Sequence, residues 1–369
     1  MRTRTIEAGG IKIGGGNPIV IQSMTTTDTR DVKATAAQIN ELDDAGCELA
    51  RVAVSDMESA AAVSEIKKLI RIPLVADVHF DYRLAVAAVT NGADKLRINP
   101  GNIGGIDKIK QIVSVCNERN VPIRIGVNSG SLEKKILAYY GGVTPEAIVE
   151  SAVNNVRMFE ELGFDKIIVS VKSSDVPATV EAYTLLSEKI DYPLHVGVTE
   201  AGNAYSGAIK SAVGIGTLLL KGVGDTIRVS LTGDPVEEIR AAREILKATG
   251  ARNFGVEIIS CPTCGRTYPG LAELAEFIEK NTRHIKKHIK IAVMGCEVNG
   301  PGEAREADIG IASGKTGWSI FANGKCVKKI PRPDAAAEDM LNVSTGDSPD
   351  TPYPERLIAE FFEILEKLP

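Results

Sequence analysis

Eight short apolar runs, rich in β-branched residues, recur through the first 250 residues of this 369-residue chain, and stretches of helical period separate them. They are PIVIQSM (18–24), LARVAVS (49–55), PLVADVH (73–79), KLRINPG (95–101), PIRIGVN (122–128), KIIVSVK (166–172), PLHVGVT (193–199) and TIRVSL (226–231). Strands of this kind belong in a parallel sheet buried on both faces, and each crossover between parallel neighbours needs a connection of helical length. Segments 33–46, 57–69, 147–163, 176–188 and 235–248 supply such connections, several stopping at Gly46, Gly163 or Gly250 as helix C-termini favour. The pattern predicts a closed (β/α)8 TIM barrel over residues 1–250. An open doubly wound sheet is the competitor, but no G-x-G-x-x-G turn follows the first strand; GIKIGGGNP precedes it instead.

After residue 250 the pattern changes to a strand VEIIS, the turn CPTCGR, a helix PGLAELAEFIEKN, a strand IKIAVMG, the turn GCEVNGPGE, a strand IGIAS and a hairpin WSIFANGKCVKKI around Asn323-Gly324. A small α+β domain over 251–332 is expected, followed over 333–369 by a polar connector and a C-terminal helix with apolar positions at helical spacing. A chain this long exceeds what one core usually supports, which agrees with two domains. Its net charge of -5 lacks the basic excess that phosphate neutralisation along a nucleic acid demands. The N-terminus has no apolar core of a secretory signal and no run approaches membrane-spanning length, so a cytoplasmic protein with no nucleic-acid or membrane partner is expected.

In a parallel barrel the working groups sit at the carboxyl ends of the strands. Those ends carry Arg51, Asp77 and His79, Arg97 and Asn99, Arg124 and Asn128, Lys172, Thr199 and Glu200, and Arg228 and Ser230. Side chains two or four apart on a strand share a face, so these pairs point together into one cavity. Singly, each cation reads as a snorkelling edge residue or half of a structural ion pair. Five cations against Asp77 and Glu200 at one mouth instead suit a small, multiply charged anion such as a diphosphate. Glu200 is a candidate acid or base. His79 reads equally as a structural histidine or a proton donor, with Asp77 orienting it.

Six cysteines are too few and too scattered for a disulfide scaffold. Cys47, Cys116 and Cys326 read as ordinary residues, the first two buried in the core. Cys261 and Cys264 form a C-x-x-C after one strand, and Cys296 follows the next, 32 residues beyond Cys264. Zinc held by the three thiolates and His284 or His288 is one reading, and would accompany a barrel aldolase or isomerase of phosphorylated sugars. Glu303, returned toward Cys296 by a tight Gly300-Pro301-Gly302 bend, offers another: three soft thiolates and one hard carboxylate suit an iron-sulfur cubane with one exchangeable corner. Asn299, Arg266 and turn amides are placed to tune its sulfurs. An electron-carrying module beside an inert barrel is a third reading.

The motifs IQSMTTTDT, ADVHFD, LRINPGNIG, IRIGVNSGSL, VSVKSS, GVTEAG, RVSLTGDP, CPTCGR and GCEVNGPGE together resemble the 4-hydroxy-3-methylbut-2-enyl diphosphate synthase family of the non-mevalonate isoprenoid pathway, over about residues 1–332. The resemblance implies a barrel that binds 2-C-methyl-D-erythritol 2,4-cyclodiphosphate and a C-terminal domain with a 4Fe-4S cluster, which open the ring reductively with loss of water. It implies Cys261, Cys264, Cys296 and Glu303 as cluster ligands, Glu303 yielding its iron to a substrate oxygen. Arg51, Arg97, Asn99, Arg124, Asn128, Lys172, Arg228 and Ser230 would grip the diphosphate, with His79 and Glu200 near the reacting carbons. It further implies a flavodoxin or ferredoxin as electron carrier, and a homodimer in which one subunit's cluster domain caps the other's barrel. The chain lacks the long insertion of plant relatives, and so resembles the bacterial two-domain form.

Overall fold

The structure, a computed structural model, describes residues 3–128, 130, 132–331 and 354–368; the polar connector expected after residue 332 lies outside them as far as residue 353. The chain divides into two compact units, Met1–Arg252 and Asn253–Pro369.

The first unit begins with a hairpin, β1 (Ile6–Ala8) and β2 (Ile11–Ile13), that the sequence reading did not anticipate, since three-residue strands are too short to show an alternation. Eight parallel strands follow: β3 (Val20–Met24), β4 (Leu49–Val54), β5 (Leu74–Val78), β6 (Lys95–Ile98), β7 (Ile123–Asn128), β8 (Ile167–Lys172), β9 (His195–Val196) and β10 (Thr226–Ile227). Their order is β8-β7-β6-β5-β4-β3-β10-β9, and a Val169–Leu194 bridge joins the two ends, so the sheet closes as a TIM barrel. Helices such as Val32–Ala45, Met57–Lys67, Pro145–Glu161, Val176–Lys189 and Pro235–Ala248 surround it. Each of these starts at an Asp or Thr whose side chain accepts a first-turn N–H, as at Asp31, Asp56, Thr144, Asp175 and Asp234.

Three strands stop earlier than their apolar runs. Strand β6 ends at Ile98 because Asn99 caps the short helix Pro100–Ile103, where proline has no N–H to give the ladder. Strands β9 and β10 last two residues each, and beyond them Gly197 lets the two segments approach closely, since a Cβ there would stand 2.4 Å from the Arg228 carbonyl oxygen. At the amino ends of the strands, Ile6, Ala8 and Ile13 of the hairpin pack on Val20, Leu49, Val75 and Ile168 and close the barrel floor with apolar surface.

The second unit is a five-stranded sheet of β11 (Val256–Ser260), β12 (Ile289–Met294), β13 (Ile309–Gly314), β14 (Gly317–Ala322) and β15 (Lys325–Pro331), in that order. Strands β11 to β13 are parallel, and β14 and β15 form the antiparallel hairpin, whose turn holds Asn323 at φ 49° and Gly324 at φ 76°. Helix Leu271–Thr282 and the terminal helix Glu355–Glu366 cover the sheet, the latter through Leu357, Phe361 and Leu365 against a core that includes Trp318, Ile320 and Ile330. Among the described residues no helix is long and apolar enough to cross a membrane.

Candidate functional site

The pleat that sends alternate side chains of a barrel strand to the axis also stacks them in layers. Above the apolar floor lies a polar layer of Gln22, Lys95, Arg124, Ser170, His195 and Thr226, all essentially inaccessible to water. Lys95 on β6 reaches Gln22 on β3, three strands away around the barrel, at 3.4 Å, so both point to the axis. His195 Nδ1 meets Thr226 Oγ1 at 2.6 Å. Sequence reasoning passed over Lys95 and His195, although each sits two residues before a position already noted (Arg97) or inward-facing (Gly197).

The next layer is the mouth. Asp77, 6% exposed, accepts from Arg97 Nη1 at 3.0 Å, while Arg51 Nη2 lies 3.6 Å from its other oxygen. Arg97 Nη1 also donates to His79 Nε2 at 2.6 Å; because a guanidinium has no acceptor, the His79 proton resides on Nδ1. Burial raises the Asp77 carboxyl, but the Arg51 and Arg97 guanidiniums outweigh it and hold the group well below the usual carboxylate range. Burial pulls Arg51 down to about 10, with Asp77 opposing and Arg228 and Arg97 adding repulsion. Lys172 is pushed well below its ordinary value by burial and then by Arg124, Arg228, Arg51 and Arg97; burial and neighbouring cations do the same to Arg124, Lys95 and His195. A cavity this short of negative charge is primed for a polyanion.

Glycines make room for the cations. A Cβ on Gly126 would stand 2.7 Å from Arg97 Nε, and one on Gly197 would stand 2.7 Å from Lys172 Nζ. Gly126→Ala is therefore expected to displace the Arg97 guanidinium from Asp77, lowering affinity for inorganic pyrophosphate roughly tenfold at nearly unchanged barrel stability, as titration calorimetry and thermal unfolding would register.

His79 owes its aim to a strained turn. Asp81 N–H donates to the His79 carbonyl at 2.8 Å around Phe80, whose φ of 66° is a left-handed value for a bulky residue, costing on the order of 1–3 kcal/mol. Asn99 is buried as the helix cap, with Oδ1 accepting from Gly101 N–H at 3.1 Å. Asn128 ends β7, and Thr199 donates its N–H to the Ser173 carbonyl at 3.3 Å. Glu200 is exposed and left-handed, at φ 52°. The buried carboxylate facing Arg228 is not Glu200 but Glu238, a residue the sequence reading missed, on the helix Pro235–Ala248. Ser230 is half-buried beyond Arg228.

In the second unit, Cys261 and Cys296 extend past the carboxyl ends of the paired strands β11 and β12. The Cys261 N–H donates to the Val293 carbonyl at 3.0 Å, and the Tyr268 N–H to the Gly295 carbonyl at 3.0 Å, which ties the CPTCGR turn to the Cys296 strand end. Thr263 inside that turn has φ 47°, strained for a β-branched residue. The turn lowers the Cys264 thiol, chiefly through the Arg266 backbone N–H and then its guanidinium. The expected Gly300-Pro301-Gly302 bend is instead the first turn of a helix, Gly300–Glu306, because proline is preorganised for that position. This helix sits close on the sheet, Ala304 lying where a Cβ on Gly310 would be, 2.7 Å away; Glu303 is exposed on it.

Among the described residues no three His, Cys, Asp or Glu side chains stand close enough to share a metal ion. The donor chemistry nevertheless fits a thiophilic centre: Cys261 and Cys296 follow the carboxyl ends of neighbouring parallel strands, and Cys264, in the turn after Cys261, is shifted toward thiolate by the Arg266 backbone N–H. His284 and His288 precede β12, whose length separates them from Cys296 by roughly 25 Å of extended chain, so neither completes a zinc site with it.

Residues 3–243 match the family model for the GcpE TIM-barrel domain, and residues 257–344 that for the GcpE protein C-terminal domain. A relative from Caldanaerobacter subterraneus subsp. tengcongensis, named 4-hydroxy-3-methylbut-2-en-1-yl diphosphate synthase (flavodoxin), is 60% identical over 339 residues, covering 92% of this chain and 95% of its own. One of the same name from Geobacter sulfurreducens is 56% identical over 335 residues, covering 91% and 95%. The solved type I 3-dehydroquinate dehydratase of Clostridium difficile aligns with a TM-score of 0.50 at 16% identity, over 67% of this chain and 97% of that one, a likeness of fold alone. With both of its units matched and relatives this similar along nearly their whole length, the chain belongs to the GcpE family.

Proposed function

We propose that this chain is a 4-hydroxy-3-methylbut-2-en-1-yl diphosphate synthase acting on 2-C-methyl-D-erythritol 2,4-cyclodiphosphate. Counted on the neutral acids, two electrons and two protons enter, a ring C–O bond to phosphate breaks, a hydroxyl leaves as water, and (E)-4-hydroxy-3-methylbut-2-enyl diphosphate remains. The observation that carries this reading is the buried cation set at the barrel mouth, on a chain that also sets Cys261 and Cys296 after the ends of two neighbouring parallel strands.

Arg51, Arg97, Arg124, Lys172 and Arg228 neutralise the diphosphate, and Asn99, Asn128, Thr199 and Ser230 add polar contacts around it. Asp77 keeps Arg51 and Arg97 paired until the anion arrives. When phosphate oxygens draw Arg97 away, His79 Nε2 loses its donor and becomes free to hold a proton beside the substrate. Glu200, which follows the β9 run, would serve as the second proton-handling group. Cys261, Cys264, Cys296 and Glu303 would hold a 4Fe-4S cluster, which when bound supplies single low-potential electrons and one iron with an exchangeable ligand. Those electrons come from a one-electron carrier, a flavodoxin in keeping with the names of the relatives, or a ferredoxin. The enzyme works as a cytoplasmic homodimer, each cluster domain serving the partner's barrel.

Anaerobic purification tests the reading. Brown protein with about four irons per chain that consumes the cyclodiphosphate when reduced is the expected result. A colourless protein with one zinc would return the barrel to aldolase or isomerase chemistry.

A further inference from the structure

Glu238 is 3% exposed, and all of its lone-pair directions are used. Its Oε2 accepts from Ser23 Oγ at 2.7 Å and from Arg228 Nε at 3.3 Å; its Oε1 accepts from Arg228 Nη2 at 3.2 Å and from the Leu231 N–H at 3.1 Å. It therefore ties together β3, the end of β10, the loop beyond it and the first turn of the helix that carries it, where the helix dipole favours a carboxylate. A carboxylate that clamps Nε and Nη2 side-on holds the guanidinium plane fixed and leaves Nη1 on the far side. The charge of that arginine bears on both Arg51 and Lys172, so the fixed guanidinium stands beside the mouth cations.

We propose that Glu238 is the positioning residue for Arg228, holding Nη1 toward the anion bound at the barrel mouth. The proposal rests on the diphosphate-site reading and deepens it. Glu238 touches no substrate: it acts only through Arg228, by removing the rotamer freedom that an arginine otherwise loses on binding. It also supplies the counter-charge for the half-buried Arg228 when no substrate is bound. A plain tie between helix and strand would instead support the fold and leave anion affinity alone.

The test is titration calorimetry of the full chain with inorganic pyrophosphate, which requires neither turnover nor electrons. Glu238→Gln is expected to weaken binding by roughly 10- to 100-fold. Affinity equal to that of the parent overturns the inference, while failure of the parent itself to bind pyrophosphate overturns the diphosphate-site reading and the inference with it. If Glu238→Gln does not fold, Arg228→Met and the double variant Arg228→Met/Glu238→Met, which buries no lone charge, decide the matter. Equal affinities in those two support an action solely through Arg228; a further drop in the double variant overturns it.

Discussion

Cys264→Ser is expected to strip the C-terminal unit of iron, whereas Glu303→Ala keeps much of the iron and loses turnover. The Cys264 thiol is exposed and already shifted toward thiolate by the Arg266 backbone N–H, so it is a soft ligand at little deprotonation cost. A serine hydroxyl at the same place is hard and holds its proton far more tightly, and three-point attachment of the cluster fails. Glu303 stands on the helix Gly300–Glu306, exposed, and in the proposed ligand set it is the one hard donor, so its loss would leave three thiolates. Iron per chain and visible absorption of oxygen-protected protein separate the two variants, and equal loss of iron in both would mean that the carboxylate is a structural ligand.

Asp77→Ala is expected to cost roughly 3–5 kcal/mol of barrel stability, because it leaves the cations around a 6%-exposed site without their counter-charge. The size follows from what surrounds the carboxylate: the Arg97 guanidinium at 3.0 Å and the Arg51 guanidinium at 3.6 Å. The folded-state affinity of Asp77 for a proton is depressed by these neighbours, so its contribution is complete above the ordinary carboxylate range near pH 4 and fades as acid titrates the folded form. Urea unfolding at neutral pH should therefore show the full difference between parent and variant, and the difference should be constant down to about pH 5 and shrink below about pH 4. A gap that widened in acid would contradict the assignment. Pyrophosphate addressed to the variant should recover part of the lost stability, since the anion takes over the neutralising role.

Much of this architecture was legible in the chain itself. Apolar runs at barrel spacing announced the strands, and the polar residues at their carboxyl ends, two apart, announced a charged cavity. What escaped had tertiary causes. Glu238 is an unremarkable acid in a helix first turn until folding carries it against Ser23 and Arg228. Lys95 and His195 look like strand-edge residues until the closed sheet turns them to the axis. The helix Gly300–Glu306 hid behind two glycines that ordinarily signal a turn, and only the seat of Ala304 on Gly310 makes a helix there worthwhile.

The hairpin of β1 and β2 has a kinetic corollary. With the amino end of the barrel stoppered by Ile6, Ala8 and Ile13, the described residues leave the carboxyl ends of the strands as the way into the chamber, so substrate, water and product share that opening in turn. Departure of one molecule gates the arrival of the next, and whatever covers that opening governs release as strictly as it governs capture.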